Sequence, residues 1–480
     1  MELDRDRWRG CLGGSAVTRI AIDLDSRLGT LDSRVFSHFV EHMGRGVYGG
    51  LCDEAGRLVP RVVQLVEALE PVLIRYPGGC FAAEYHWWEG VGDQRVDGLD
   101  TFWSRVGLGA LESNAFGTDE FLEFCERVGG VPYLTVNMGT GTPAEAAEWV
   151  RYTGGRVGTW SLGNEVFGPW ETGHQGPVEY ARRAEVFADS MLAAEPGLDL
   201  VGVGADARNY LNWNEAVLDR IGRKLKWLSL HFYAPGPEAG CLEDTRDGYM
   251  TVTAAAYTLG RSLDEMIGLI RAKDLPIRLA LDEWAVWSCD DELRGTAESG
   301  ESAPIRDALF AASVFHRIIE RASWVTMACY AQLVNVLGLI QTEEGGVFAT
   351  PVYHVFKMYR DAAGKEAVRV EVDGSPTFEA PELGRMPRTF EVPFVEAVGL
   401  AGDGGGVTLY AINRHPSSEI EVVIEGWDGI SQIETLAGDG PFARNSFAEP
   451  DRVQPVTSAV TLPRVQLPPH SITRLDLTRS

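Results

Sequence analysis

From about residue 35 to about residue 360, short apolar runs rich in β-branched residues alternate with longer amphipathic stretches, and no other property of the chain limits its fold so tightly. The apolar runs occupy residues 35–40, 71–76, 131–137, 159–163, 198–204, 227–233, 277–281 and 326–334. Helical patterns fall between most of them, at 60–70, 118–128, 143–152, 177–194 and 305–321. In the second of these Thr118 stands at an N-cap and Asp119 and Glu120 suit the positive end of the helix dipole. Phe121, Leu122, Phe124 and Cys125 form one face before Gly129-Gly130 stops the run. Eight such alternations predict a (β/α)8 TIM barrel, with a doubly wound open sheet as the structural rival.

After about Arg360 the helical rhythm ends. Runs at 366–372, 407–412, 420–424, 460–462 and 472–477 read as strands separated by Gly, Pro, Ser and Asp turns, which predicts a C-terminal β-sandwich. Residues 15–24 alternate with period two and lead into no helix, so they are expected to complete that sandwich. The expected division is an N-terminal segment over 1–30, a catalytic barrel over 31–360 and a β-sandwich domain over 361–480. At 480 residues the chain exceeds what one core usually supports.

A formal charge of −26 argues against nucleic acid and anionic membrane as partners, because both require a basic face, whereas a neutral sugar is not repelled. The seven cysteines, Cys11, Cys52, Cys80, Cys125, Cys241, Cys289 and Cys329, are scattered and show no Cys-x-x-Cys spacing. That disfavours a disulfide framework or structural zinc and fits a reducing compartment. The first fourteen residues lack an apolar h-region, and no apolar run reaches membrane-spanning length, so a soluble, cytoplasmic protein is expected.

Two acids stand where barrel enzymes place their chemistry, at strand C-termini: Glu165 in Gly163-Asn164-Glu165 after the fourth run, and Glu283 in Asp282-Glu283-Trp284 after the seventh. A retaining glycosidase needs one carboxylic acid to protonate the leaving oxygen and one carboxylate to attack the anomeric carbon, about 5–5.5 Å apart. Other polar residues are expected on the same face: Glu41, Arg75, Asn137, His231, Tyr233, Gln332 and Asn335. Arg75 or Tyr233 is placed to donate to the nucleophile. Trp87, Trp88, Trp170, Trp284 and Trp287 are candidates to stack on sugar faces, although a lone Trp is more often packing.

Three motifs compete. His38-Phe39-Val40-Glu41-His42 matches the H-x-x-E-H pattern of a zinc peptidase class, which requires a helix and a third ligand; the glycines at 44, 46, 49 and 50 disfavour a helix. Cys80 near His86 offers a thiol nucleophile, against which stands a small residue beside Gly78-Gly79 whose main chain approaches a ligand. The stretch from Met138 to Pro143 is glycine-containing but lacks the lysine of a P-loop, and reads as a tight turn capped by Thr142.

Assembled in order, residues 39–50, 75–87, 112–124, 136–143, 162–170, 231–233, 282–287 and 331–336, with the Pro468-Pro469-His470-Ser471 ending, resemble glycoside hydrolase family 51, the α-L-arabinofuranosidases. The resemblance implies a barrel plus β-sandwich and a retaining, exo-acting enzyme in which Glu165 is acid/base and Glu283 nucleophile. Glu41, Cys80, Asn164, Tyr233 and Gln332 are implied to line the pocket for the terminal furanose, with Arg75 and His231 in support. It also implies no metal or cofactor, an arabinofuranosyl oligosaccharide as substrate, and often a hexamer. Val166-Phe167 and Ala285 stand where family members commonly carry Met-Asp and Asn, beside each catalytic carboxyl. Another furanosidase, β-xylosidase or endoglucanase activity, or a non-catalytic sugar-binding relative, are the alternatives.

Overall fold

The computed structural model describes residues 17–99, 101–105, 107, 111–206, 208–240, 242–287 and 303–478. Cys11, Cys241, Cys289, the first fourteen residues and the opening two positions of the 15–24 strand lie outside the described residues.

The first strand, β1 (Thr18–Thr30), is set apart from the eight that follow: β2 (Ser37–Phe39), β3 (Leu73–Tyr76), β4 (Val131–Thr135), β5 (Thr159–Ser161), β6 (Asp199–Gly202), β7 (Trp227–Pro235), β8 (Arg278–Trp287) and β9 (Val325–Tyr330). These eight are parallel and close on themselves in chain order, which makes the barrel. Its interior is filled by Phe39, Leu73, Tyr133, Val201, Trp227, Ala280, Met327 and Cys329. Around it run α1 (Pro60–Leu69), α2 (Thr118–Val128), α3 (Pro143–Thr153), α4 (Pro177–Ala194), α5 (Trp213–Ile221), α6 (Arg246–Ala272), α7 (Ile305–Ile319) and α8 (Pro351–Arg360).

Two strands depart from their sequence pattern for local reasons. Residues 33–36, apolar enough to read as strand, form a 3₁₀ turn because Asp32 accepts a hydrogen bond from the Arg34 backbone N–H at 2.9 Å and caps it. β8 runs on past residue 281, so Glu283 lies within the strand rather than after it. Its pairing slips between Ala280 and Glu283 against β7 and between Leu281 and Trp284 against β9. Alternation sends strand neighbours to opposite faces, and irregular pairing re-aims a side chain. The slip lets both Asp282 and Glu283 reach Arg75, at 4.0 and 2.5 Å.

Helices α5, α6 and α8 are not among the helical patterns expected from the sequence. For α6 the cause is burial on nearly every side: Val252, Ala255, Leu259, Leu263 and Met266 are inside, and so are Thr251, Thr253, Thr258 and Ser262. A helix without a polar stripe shows no 3.6-residue alternation.

The tail folds into β10 (Glu366–Asp373), β11 (Val395–Ala401), β12 (Val407–Asn413), β13 (Ile420–Ile424), β14 (Gly429–Leu436), β15 (Val456–Leu462), β16 (Arg464–Leu467) and β17 (Ser471–Leu477). With β1 these form a nine-stranded sheet in the order β15-β14-β17-β12-β11-β10-β1-β13-β16, so the predicted sandwich is one continuously hydrogen-bonded sheet. β1 pairs antiparallel with β10, Ile20 opposite Val372, and parallel with β13, Ile20 opposite Ile424. β11 is buried from Val395 to Leu400 on both faces, which removes the alternation that marks a strand.

β11 also carries Glu396, where the sheet meets α6 and α7. Its Oε1 accepts from Ser313 at 2.8 Å and pairs with Arg414; its Oε2 accepts from Arg317 at 2.9 Å and Tyr257 at 2.8 Å. Burial alone would raise this carboxyl, but Arg414 and Arg317 outweigh it and hold the group well below the usual carboxylate range. The bond set is therefore complete above the ordinary Glu range and lost only in strong acid. Replacing Glu396 with Leu leaves the fully buried Arg414 without its anion and Arg317 with Glu320 alone, and is expected to cost about 3–5 kcal/mol, read as a lowered Tm by calorimetry; an unchanged Tm contradicts this account.

Candidate active site

The site is built where the turn after β3 passes under two carboxylates. A side chain could not fit on that turn: a Cβ on Gly78 would lie 2.7 Å from Glu41 Cγ, and one on Gly79 would lie 2.8 Å from Glu283 Oε1. The bare main chain instead donates, Gly79 N–H and Phe81 N–H reaching Glu41 Oε1 at 3.0 and 3.1 Å. Trp103 Nε1 adds a third bond to the same oxygen at 3.2 Å, and Gln332 Nε2 donates to Oε2 at 3.1 Å. Burial, with Glu283 nearby, pushes the Glu41 carboxyl up to about 7.

Arg75, entirely buried at the end of β3, organises the opposite wall. Nη1 donates to Glu283 Oε1 at 2.5 Å, Nη2 to Asn164 Oδ1 at 2.8 Å and Nε to Thr135 Oγ1 at 3.2 Å. The other oxygen of Glu283 accepts from Tyr233 OH at 2.9 Å. Both oxygens of Glu283 are thus fixed. Burial and the charge of Glu283 raise the Tyr233 phenol well above its ordinary range, so it is a donor.

Glu165 follows β5 with φ 38°, a left-handed conformation for a residue with a side chain. Its Oε1 lies 2.9 Å from His231 Nδ1, and Trp170 Nε1 donates to Oε2 at 3.0 Å. Burial pushes this carboxyl up, but the bond and charge of His231 and the indole bond outweigh it and bring it below its usual value. His231 also faces Glu283 Oε2 at 3.4 Å and Asp282 Oδ1 at 3.5 Å. Burial lowers the imidazole; Glu283, Asp282 and Glu165 together overcome that and raise it to about 10. One oxygen of Glu165 and one of Glu283 lie within 4.8 Å of each other.

These groups border a cavity of about 310 Å³ whose walls include Glu41, Cys80, Trp103, Glu165, Trp170, Tyr233, Glu283, Trp287, Gln332 and Arg385. A second cavity, about 350 Å³, shares Glu165, Trp170, Tyr233 and Arg385 with it and extends over Phe167 and Tyr210. Two acids at strand ends, each with a different polar environment, beside a sugar-sized hollow lined with indoles, are the parts of a glycosidase.

The chain matches the family model described as alpha-L-arabinofuranosidase C-terminal domain over residues 282–471, and that of the alpha-L-arabinofuranosidase 1 domain over 65–154. It is 30% identical to the intracellular exo-alpha-(1->5)-L-arabinofuranosidase of Streptomyces lividans, across 91% of this chain and 71% of that one. It is also 30% identical to intracellular exo-alpha-(1->5)-L-arabinofuranosidase 1 of Bacillus subtilis, across 87% and 89%. The solved GH51 alpha-L-arabinofuranosidase of Thermotoga petrophila superposes with a TM-score of 0.81 at 28% identity, covering 96% of this chain and all of that one (100%). The chain belongs to glycoside hydrolase family 51.

In this family 51 enzyme the residues singled out from sequence do not all meet. Glu41, Cys80, Asn164, Glu165, Tyr233, Glu283 and Gln332 gather at the cavity or directly behind it, with Arg75 buried and His231 half-buried in support. Asn137 and Asn335 do not: their amides tie loops, Asn137 to Tyr85 O at 3.1 Å and Asn335 to Arg45 O at 2.7 Å. Trp170 and Trp287 line the cavity, whereas Trp284 is in the core and Trp87 stacks on Trp149 with centroids 6.4 Å apart. Trp103 and Arg385 were not singled out. Arg385 comes from the tail, pairs with Glu238 at 2.8 Å and closes a wall that sequence order gives no reason to expect.

The H-x-x-E-H stretch is not a helix. His38 lies on β2 against Phe356, while His42 bonds Tyr76 OH at 3.0 Å and Glu112 at 2.9 Å. Two donor trios are close enough to share an ion, Cys80-Glu165-Glu171 and Glu165-His231-Glu283. The second already contains a cation in His231. Among the described residues no helix is long and apolar enough to cross a membrane.

Replacing His231 with Asn removes the contact that outweighs burial at Glu165. The Glu165 carboxyl is then expected to titrate above its wild-type value and above the ordinary Glu range, measured by infrared difference titration; an unmoved titration contradicts the assignment.

Proposed function

We propose that the chain is a retaining, exo-acting α-L-arabinofuranosidase, releasing terminal non-reducing arabinofuranosyl units from arabinoxylan or arabinan oligosaccharides by double displacement. The observation that carries the reading is the pair Glu165 and Glu283, with oxygens within 4.8 Å, close to the spacing of about 5–5.5 Å that a retaining enzyme uses. Relatives named as exo-acting arabinofuranosidases support the sugar.

In the first step Glu283, its oxygens aimed by Arg75 and Tyr233, attacks the anomeric carbon and forms an ester. The bond to the leaving oxygen breaks as Glu165 gives that oxygen a proton. His231, 2.9 Å away, is the source that keeps Glu165 supplied. Its hold on the proton depends on the charge of Glu283, and ester formation neutralises that charge. The imidazolium is therefore released from its strongest attraction as the leaving group needs a proton. In the second step water attacks the same carbon, Glu165 takes its proton, and the ester bond breaks to restore Glu283. Glu41, Cys80, Asn164, Tyr233 and Gln332 bind the furanose, Cys80 through the main chain of its glycine turn.

The second cavity, floored by Phe167 and Tyr210 with ring centroids 4.3 Å apart, receives the leaving group. Phe167 is where the sequence departs from its relatives. Replacing it with Ala is expected to raise KM for an arabino-oligosaccharide several-fold more than for a nitrophenyl arabinofuranoside; equal changes on both remove this role.

The division at residues 30 and 360 accompanies this reading, supported by the barrel strands lying between Ser37 and Tyr330. A cytoplasmic location rests on relatives named intracellular, and a hexamer on family resemblance, checked by sedimentation velocity.

The decisive experiment is Glu165→Ala. It should lose about 10²–10⁴-fold on substrates with poor leaving groups, retain far more on activated aryl glycosides, and gain rate with azide as a glycosyl azide forms. Equal loss on both substrates without azide rescue sinks the acid/base assignment. A panel of nitrophenyl furanosides and pyranosides tests the sugar, with the α-L-arabinofuranoside expected to be turned over fastest.

A further inference from the structure

Directly after Trp170 stands a third carboxyl group that the double displacement does not use. Glu171 is 3% exposed, in the loop between β5 and α4. Its Oε1 accepts from Asn164 Nδ2 at 3.1 Å, and its Oε2 is buried without a hydrogen bond. The Cys80 sulfur and one oxygen from each of Glu165 and Glu171 lie within 4.8 Å of one another. The Asn164 amide is thus held at both ends, Oδ1 by Arg75 and Nδ2 by Glu171. Turned over, it would set an NH₂ against a guanidinium, so the acceptor on Glu171 decides which way the amide faces.

We infer that Glu171 is a positioning residue that, as an uncharged acid, fixes the Asn164 amide and through it the Arg75–Glu283 pair, and that loss of its proton limits the reaction on the alkaline side. The inference rests on the roles proposed above for Glu165 and Glu283. Its basis is what surrounds the group. An ionised carboxylate with one oxygen buried and undonated is costly, whereas a neutral carboxyl is tolerated far better. The titratable groups facing it are Cys80 on the glycine turn, Glu165 on its own loop and Glu41 after β2. Arg75, the cation next in line, reaches it through Asn164. Burial first, then the charges of Glu165 and Glu41, push the carboxyl up to about 8 against the opposing pull of hydrogen bonds from the Cys80 thiol and the Asn164 amide, while the thiol itself is raised well above its own range and stays neutral. As pH rises through that value a new anion appears beside Glu165 and competes with Glu283 for Arg75. The arrangement is therefore intact below about pH 8 and lost above it.

The test uses an activated aryl arabinofuranoside, for which the second step limits kcat. In that step Glu165 works as a base, so its own titration causes loss only on the acid side, and an alkaline limb reports another group. Wild type should lose kcat reversibly above about pH 8. Glu171→Leu should lower kcat about tenfold to a hundredfold near neutrality; Glu171→Gln, which keeps the acceptor and cannot ionise, should recover most of that loss and move the alkaline limb up by at least about one pH unit. Superimposed wild-type and Glu171→Gln profiles overturn the inference, as does equal loss in the two variants. If the leucine variant does not fold, the glutamine profile alone decides. The outcome leaves Glu165 untouched, because that assignment stands or falls on azide rescue.

Discussion

The pairing of Arg75 with Glu283 is the contact on which the rest of the site depends. A guanidinium with no solvent exposure carries a desolvation penalty of several kcal/mol and persists only with anions and acceptors around it. Here it finds them on three strands or their ends, reached from β3: Thr135 on β4, Asn164 after β5, and Asp282 and Glu283 on β8. Its flat face rests 4.8 Å from the Phe39 ring of β2. The dependence runs both ways. Burial would raise Asp282, yet Arg75 and His231 hold it far below the usual range, so the cation is matched by an anion that does not take part in chemistry. Under the double displacement proposed above, Glu283 can then lose its charge without stranding the arginine.

How much of this was legible beforehand varied with the kind of residue. The eight barrel strands announce themselves because short, two-side-buried strands leave unmistakable apolar runs, and Glu165 and Glu283 stand out because each ends such a run. Elements buried on every side were harder to read: α6 and β11 lack the alternation that pattern reading needs. Contacts between distant segments were invisible. Nothing near Arg385 ties it to a barrel mouth, and nothing near Trp103 ties it to Glu41, because each meets the pocket only through tertiary folding. Trp284 misled in the other direction: its place beside Glu283 in the chain suggested a sugar platform, yet strand geometry turns it into the core against Phe315 and Tyr330. Glu171, one residue past the resemblance, carried no signal of its own, since a carboxyl in a loop is ordinarily a solvated one.

The β-rich tail is more than an appendage. Glu396 anchors it to α6 through Tyr257 and to α7 through Ser313 and Arg317, and the loop bearing Arg385 then reaches over the barrel mouth, where its backbone N–H also donates to Pro235 O at 2.8 Å. Pro235 ends β7, the strand that carries His231 and Tyr233. A displacement of the tail would therefore be felt first at the partners of Glu165 and Glu283 rather than at the barrel's hydrophobic interior.

The left-handed backbone of Glu165, φ 38°, has a cost of its own. For a residue with a Cβ this conformation is disfavoured by roughly 1–2 kcal/mol, and only glycine escapes the penalty. The penalty is carried by the main chain and not by the carboxyl group, so the fold itself would be sturdier with glycine at this position.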